Sequence, residues 1–256
     1  MSNKLTIFLQ IIPLIHKKSN YSILYTVKII IAKKRVLIIA AVIIFTGALL
    51  GVICGVGATS ETFNQGEKVI VIDAGHGGID AGVVGVATSS KESDINLAIS
   101  RQLKSYFIAA GFKVVMTRTN NGGLYGSSSS GFKKRDMQKR KEIIESCNAD
   151  MVISVHQNFC PIPSRRGGTV FFDKGSDVGR ELANCIQKSI NNMEECVSKN
   201  TALTGDYFML KCTESPSVIV ECGFLSNSED DKLLNSDDYQ KKIAYAIFKG
   251  AVAYYG

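Results

Sequence analysis

The stretch VIVIDAGHGG, residues 69–78, joins a run of four β-branched residues to a glycine-flanked histidine, His76. A short apolar run of this kind predicts a buried strand. Two further runs end in a similar way: MVISV at residues 151–155 leads into His156, and SVIV at residues 217–220 leads into Glu221. In an open parallel α/β sheet, the carboxyl ends of the strands line one crevice, where ligands collect. The sequence therefore predicts that three side chains able to bind a metal lie at one edge of a sheet.

Strand and helix patterns alternate beyond residue 68. We predict strands at residues 69–72, 112–118, 151–156, 167–172, 207–210 and 217–220. We predict helices at residues 92–110, 133–147, 178–192 and 239–254. This alternation indicates an α/β fold: a three-layer sandwich with a mostly parallel twisted sheet flanked by helices, preceded by one N-terminal membrane helix or signal segment. The glycine- and serine-rich residues 120–131 predict a mobile surface loop.

The net charge of +7 belongs to the amino-terminal part of the chain. Residues 1–58 contain seven Lys or Arg and no acidic residue, so the remainder carries 23 charges of each sign. Nucleic-acid phosphates require clustered cations. A remainder without net charge therefore excludes nucleic acid as the expected partner.

Residues 36–57 are uncharged and almost wholly apolar. As a helix they would extend about 33 Å, enough for a bilayer core of ~30 Å. The basic run at residues 33–35 predicts that residues 1–35 form a basic cytoplasmic leader. The segment 36–57 fits either a retained transmembrane anchor or a signal peptide cleaved near residues 56–58, and the sequence leaves both open. Residues 58–67 predict a linker, and residues 68–256 a single extracytoplasmic domain, membrane-anchored or secreted.

The chemistry of the predicted edge depends on two histidines and two carboxylates. Zinc hydrolases bind the metal through three His or carboxylate ligands, and a nearby carboxylate moves protons. His76, His156, Glu92 and Glu221 match this set, since Glu92 begins a helix after the glycine-rich residues 79–87. Position alone leaves open which glutamate is the ligand and which the base. Other catalytic motifs, such as G-x-S-x-G, the phosphate loop and H-E-x-x-H, do not occur in the sequence.

Several ordered motifs between Lys68 and the carboxyl terminus resemble the zinc-dependent N-acetylmuramoyl-L-alanine amidases of bacterial cell walls, the amidase-3 type. The motifs are VIDAGHGG at 71–78, KE at 91–92 with Asn96, TR at 117–118, AD at 149–150 through SVHQN at 154–158, and VECGFLSN at 220–227. The resemblance implies that His76, Glu92 and His156 bind Zn²⁺ and that Glu221 is the catalytic carboxylate. Gln157 stands where the family often has alanine, a departure that we expect to leave the ligands undisturbed.

The resemblance also implies a reaction, which is cleavage of the amide between the lactyl group of N-acetylmuramic acid and L-alanine in peptidoglycan. The compact architecture is similar to the germination-specific branch, which acts on spore cortex before muramic lactam formation. We therefore expect an extracytoplasmic enzyme, in the forespore or cortex space of a spore-forming bacterium. Residues expected to contact substrate or support the ligands are Asn96, Arg118 and Asn158, with Arg135 and Arg140 as further candidates.

Two other functions compete with an amidase: a zinc peptidase that cuts within the stem peptide, and a non-catalytic wall-binding protein. The presence of all four residues of the expected site, the two histidines and the two glutamates, argues against a non-catalytic function. A regulatory protein partner is also expected, because an enzyme that degrades cell wall must be restrained. The sequence offers residues 120–131 or the pair Arg165 and Arg166 as its contact.

Overall fold

A computed structural model of the chain describes residues 68–256. The strands are β1 Val69–Ala74, β2 Lys113–Met116, β3 Met151–Asn158, β4 Thr169–Phe172, β5 Leu203–Thr204 and β6 Ser217–Phe224. In this part of the chain they form a six-stranded sheet with the order β2-β1-β3-β6-β4-β5. The helices are α1 Glu92–Ala109, α2 Phe132–Ser146, α3 Asp177–Asn191, α4 Ser228–Leu234 and α5 Asp237–Ala253, and a 3-10 helix covers Phe208–Lys211.

The predicted α/β sheet flanked by helices is confirmed for these residues. Strands β2, β1, β3 and β6 run parallel, whereas β4 is antiparallel to β6 and carries β5 parallel to itself. Alternate residues of the strands point to opposite faces. In β1, Ile70 and Ile72 belong to the larger apolar cluster, which includes residues of α1, α3 and α5, while Val71 packs with α2 and the 3-10 helix. The sheet is therefore the middle of three layers.

Residues 207–210 do not form the strand predicted there. The 3-10 helix occupies most of this run, and the short strand β5 precedes it. Only Met209 and Leu210 of the run are buried, and the periodicity of so short an apolar run does not distinguish a strand from a helical turn.

Helix α4 was not predicted either, although its amino end carries a recognisable signal. The side chain of Asn227 accepts hydrogen bonds from the first turn of α4, which is acidic.

Among residues 68–256, no helix is both long enough and apolar enough to cross a bilayer. The predicted leader 1–35, membrane segment 36–57 and linker 58–67 lie outside the described residues.

The strand register brings four polar and titratable side chains onto one face of the sheet. Asp73 of β1 lies opposite Ser154 of β3, and His156 lies opposite Glu221 of β6. Partners in neighbouring parallel strands point to the same side, and residues two apart in a strand share a face. These four side chains therefore lie on the face of the sheet that α2 covers, toward the carboxyl ends of the strands.

Helices α3 and α5 approach each other closely at Gly250. A Cβ atom at this position would lie 2.5 Å from Cα of Ile186 and 2.8 Å from the carbonyl oxygen of Cys185. Both neighbours are backbone atoms of α3, so neither can move aside by a side-chain rotation. The contact between the two helices therefore requires glycine.

Replacing Gly250 with alanine is expected to lower the free energy of unfolding by about 1–3 kcal/mol, because the added methyl group overpacks this contact. The loss should appear although alanine favours a helix by roughly 1 kcal/mol over glycine. Urea denaturation followed by circular dichroism measures it. The control is Lys249→Ala, a neighbour in α5 whose side chain is exposed and which should change stability by less than about 0.5 kcal/mol. Equal stabilities of the two variants would contradict the role given to Gly250.

Candidate metal centre and active site

His76, Glu92 and His156 come together at the carboxyl edge of the sheet, each from a different element. His76 lies in the loop after β1, Glu92 is the first residue of α1, and His156 lies in β3. One potential ligand atom from each lies within 4.8 Å of the others. Nε2 of His76 is 3.3 Å, and Nδ1 of His156 3.0 Å, from Oε1 of Glu92. This arrangement provides two imidazole nitrogens and a carboxylate oxygen converging on one point.

The Glu92 carboxylate is only 2% exposed and is held by backbone groups. Its Oε2 accepts a hydrogen bond from the amide of Val83 at 2.8 Å, and its Oε1 accepts one from the amide of Gln157 at 3.1 Å. Burial by itself raises the pKa of Glu92, but hydrogen bonds and charge from His156 and His76 outweigh it and hold the pKa well below its usual range. Glu92 is therefore an ionised carboxylate in a position to bind a cation.

Two glycines allow the backbone to pass close to these rings. At Gly75, a Cβ would lie 2.3 Å from the His156 ring. At Gly82, where φ is +66°, a Cβ would lie 2.3 Å from Oε2 of Glu92 and 2.8 Å from the His76 ring. Both positions need glycine, because any side chain would displace the His156 ring at one position, and the Glu92 carboxylate and the His76 ring at the other.

Asp80 orients the His76 ring, a contact that the sequence did not predict. Its Oδ2 lies 3.0 Å from Nδ1 of His76. A carboxylate at one ring nitrogen fixes the proton there and leaves the other nitrogen free to bind a metal. Burial lowers the pKa of His76, but Glu92 and Asp80 together raise it to about 8 in the metal-free site. The sequence signal was an acid four residues after the histidine.

Glu221 lies beside His156 on the neighbouring strand and has a different environment from Glu92. Its Oε2 is buried and has no hydrogen-bond partner among residues 68–256. Burial raises the pKa of Glu221 to about 7, with the charge of Glu92 adding to the rise and the two histidines opposing it. A carboxyl with a pKa near neutrality can both accept and release a proton at working pH.

A cavity of about 270 Å³ opens onto the site. His76, His156 and Glu221 lie in its wall, whereas Glu92 is not among the lining residues. Most of the remaining wall is aromatic or apolar, formed by Tyr125, Phe132, Met137, Tyr207, Phe208, Met209 and Ile219. A substrate in this cavity would therefore meet the two rings and the Glu221 carboxyl without contacting Glu92.

Two buried arginines hold the backbone that leads into His76. Arg140, 1% exposed, donates to the carbonyl oxygens of Ala74 and His76 and pairs with the Asp73 carboxylate. Arg118 donates to the carbonyl oxygens of Ala74 and Gly75, and to that of Ser93 in α1. Arg118 does not line the cavity, so its contacts indicate support of this loop and not contact with substrate.

The three remaining residues that the sequence analysis named as site candidates lie in different surroundings. Asn96 is fully buried and donates to Oε1 of Glu92 at 3.3 Å and to the carbonyl oxygen of Gly75 at 3.2 Å. Asn158, at the end of β3, accepts from the amide of Phe159 and is not a cavity residue. Arg135 is exposed on α2 and donates to carbonyl groups of residues 125–130, which ties down part of the loop predicted to be mobile.

Comparison with known proteins gives the class of this α/β domain. The family model described as N-acetylmuramoyl-L-alanine amidase (Amidase_3) matches residues 70–253. The chain belongs to this family of hydrolases, as the resemblance implied. The matched residues include His76, Glu92, His156 and Glu221.

Similarity to individual proteins supports the assignment to this family. The chain is 32% identical to the germination-specific N-acetylmuramoyl-L-alanine amidase of Bacillus subtilis (strain 168), over 73% of this chain and 80% of the relative. It is similar to the CwlD amidase of Clostridioides difficile, solved in complex with the GerS lipoprotein, with a TM-score of 0.71 and 36% identity over 73% of this chain and 98% of that chain. The catalytic domain of CwlV from Bacillus (Paenibacillus) polymyxa var. colistinus gives a TM-score of 0.63 at 25% identity, over 73% and 98%.

The raised pKa of Glu221 predicts how the stability of the metal-free protein depends on pH. The folded protein retains the proton up to about pH 7, whereas the unfolded chain releases it near pH 4.5, the ordinary pKa of a glutamate. Stability contributed by the neutral acid is therefore lost as pH rises from about 4.5 to about 7. The side chain of Glu221→Gln stays neutral at every pH. The free energy of unfolding of this variant, relative to that of the natural protein, should therefore rise by roughly 2 kcal/mol between pH 5 and pH 8.

Urea denaturation of chelator-treated protein at the two pH values measures this difference. Glu214→Gln is the control, because Glu214 is exposed and its replacement should have the same effect at both pH values. If the difference in free energy of unfolding between Glu221→Gln and the natural protein does not change with pH, Glu221 is not held neutral by burial.

Proposed function

We propose that the chain is a zinc-dependent N-acetylmuramoyl-L-alanine amidase in which His76, Glu92 and His156 hold the metal and Glu221 transfers the proton. The observation that carries this proposal is the convergence of three potential ligand atoms within 4.8 Å, beside a buried carboxyl with an oxygen that has no partner among the described residues. Membership of the amidase family supports the reaction.

The donor set and its dimensions fit zinc. Zinc in hydrolases takes His nitrogen and carboxylate oxygen at ~2.0–2.2 Å, so two ligands of a tetrahedral site lie about 3.4 Å apart. The distances from Oε1 of Glu92 to the His156 and His76 nitrogens are 3.0 and 3.3 Å, close to this spacing. Asp80 and Asn96 contact the ligand groups from outside, the arrangement that fixes metal ligands in proteins.

The chain's own residues then account for the proton transfers of hydrolysis. Zinc, when bound, supplies a Lewis acid that polarises the amide carbonyl and makes water more acidic. Glu221 accepts a proton from the attacking water and passes it to the nitrogen of the leaving group as the C–N bond breaks. The products are the lactyl carboxylate of the sugar and the free amine of L-alanine. The apolar cavity wall limits water around Glu221 and keeps its proton available for this transfer.

The substrate within this class is proposed to be spore cortex, where removal of the stem peptide precedes muramic lactam formation. The similarity to the germination-specific amidase of Bacillus subtilis supports this choice. Action on cortex requires an extracytoplasmic location, which residues 36–57 would provide as an anchor or as a signal peptide. The CwlD amidase solved with the GerS lipoprotein supports the proposal that a protein partner also binds this chain.

Removing the Glu221 carboxyl is expected to abolish turnover and leave metal binding intact. Glu221→Ala should lower kcat by about 10²–10⁴-fold, the range for loss of a general acid–base group, and should keep its zinc. His156→Ala should lose both zinc and activity. Muropeptide release and elemental analysis of the purified proteins measure the two properties, with Glu214→Ala as the control. Normal activity of Glu221→Ala would refute the proposed role.

Analysis of the products distinguishes the amidase from the alternatives. Digestion of purified cortex should yield glycan with free lactyl carboxylates and peptides that begin with L-alanine. Mass spectrometry of the digest detects both. New amines within the stem peptide, without free lactyl groups, would indicate a zinc peptidase. Wall binding without turnover by zinc-loaded protein would indicate a non-catalytic function.

A further inference from the structure

Gln157 is buried directly beside the metal centre, with an exposed fraction of 3%. Its backbone amide contacts Glu92, and its side-chain Nε2 donates to Oδ1 of Asn96 at 3.0 Å. The other end of the side chain, Oε1, is buried and has no hydrogen-bond partner in the part of the chain that the structure describes. The Gln157 amide group thus donates to the residue that holds Glu92.

The orientation of the Asn96 amide follows from its surroundings. One end faces the carbonyl oxygen of Gly75 and Oε1 of Glu92, both of which only accept hydrogen bonds. That end must therefore be the NH₂ group, and the Oδ1 end must face Gln157. Because Oδ1 is an acceptor, Gln157 has to present its own NH₂ group there. The orientation of the Gln157 amide is thereby determined, and this leaves its Oε1 unpaired.

We propose that Gln157 is a positioning residue for the metal ligand Glu92, acting through Asn96. Its NH₂ group adds a third hydrogen bond to Asn96, at the Oδ1 end, and so restrains the amide whose other end donates to Glu92. This inference rests on the proposed function, since it concerns the zinc ligands. It goes beyond the expectation that Gln157 leaves the ligands undisturbed.

The contacts also predict that Gln157 contributes little to overall stability. Replacing it with an apolar residue of similar length removes one unpaired buried oxygen, Oε1, and creates another, Oδ1 of Asn96. The two effects on the fold oppose each other, because an unpaired buried polar group is destabilising in either position. Asn96, by contrast, loses one of the three hydrogen bonds that restrain its amide. Metal affinity should therefore change more than stability.

The test measures zinc dissociation constants of the full-length protein by competition with a chromophoric chelator. Gln157→Met, with Gln157→Leu as a second variant, should weaken zinc binding by about tenfold, the lower end of the range for residues that support metal ligands. Thermal melting of the metal-free proteins should show little change. The control is Gln240→Met, because Gln240 is also buried and donates one hydrogen bond, to the carbonyl oxygen of Leu234 outside the site. This control should bind zinc like the natural protein.

A double variant tests whether Gln157 acts through Asn96. Asn96→Ala alone should weaken zinc binding by roughly 10–100-fold, and adding Gln157→Met to it should produce no further loss. Tight binding by both Gln157 variants, or a further tenfold loss in the double variant, would overturn the inference and leave the proposed function standing. Natural protein that takes up no zinc would instead overturn the proposed function, and the inference with it.

Discussion

The arrangement of this edge of the sheet depends on one buried negative charge, the carboxylate of Glu92. A charge removed from water is destabilising unless it is paired and hydrogen-bonded. Its partners come from three parts of the chain: the loop that contains His76 and Val83, the end of β3 with His156 and Gln157, and α1 itself. Satisfying this carboxylate therefore assembles all the groups that we assign to the metal.

The second layer of support is the pair of buried arginines behind the His76 loop. Arg140 and Arg118 donate to consecutive carbonyl groups at the end of β1. The charge of Arg140 is matched by Asp73: burial alone raises the pKa of Asp73, and Arg140 with Ser154 and Thr117 lowers it to about 2. Since Asp73 lies in β1 and Arg140 in α2, their pair fixes the helix against the strand that carries the loop. The backbone of a functional loop is thus held by buried charges behind it.

The same edge gives two glutamates different properties. Glu92 has hydrogen-bond donors on both oxygens and is ionised, whereas Glu221 has a pKa of about 7 and a buried oxygen without a partner within residues 68–256. Environments that push the pKa values of two carboxyls apart are how enzymes assign them different roles. The contrast supports Glu92 as the ligand and Glu221 as the proton carrier, an assignment that sequence position alone left open.

The sequence by itself determined the class of fold and the residues that meet, because apolar runs ending in His76, His156 and Glu221 must share one edge of a parallel sheet. It did not determine the 3-10 helix Phe208–Lys211, since local patterns do not distinguish short apolar turns from strands. Only the tertiary structure decided which side chains line the cavity and which support the ligands. Arg118 and Gln157 are polar residues whose partners lie far apart in the chain, and the direction of such a side chain depends on those partners.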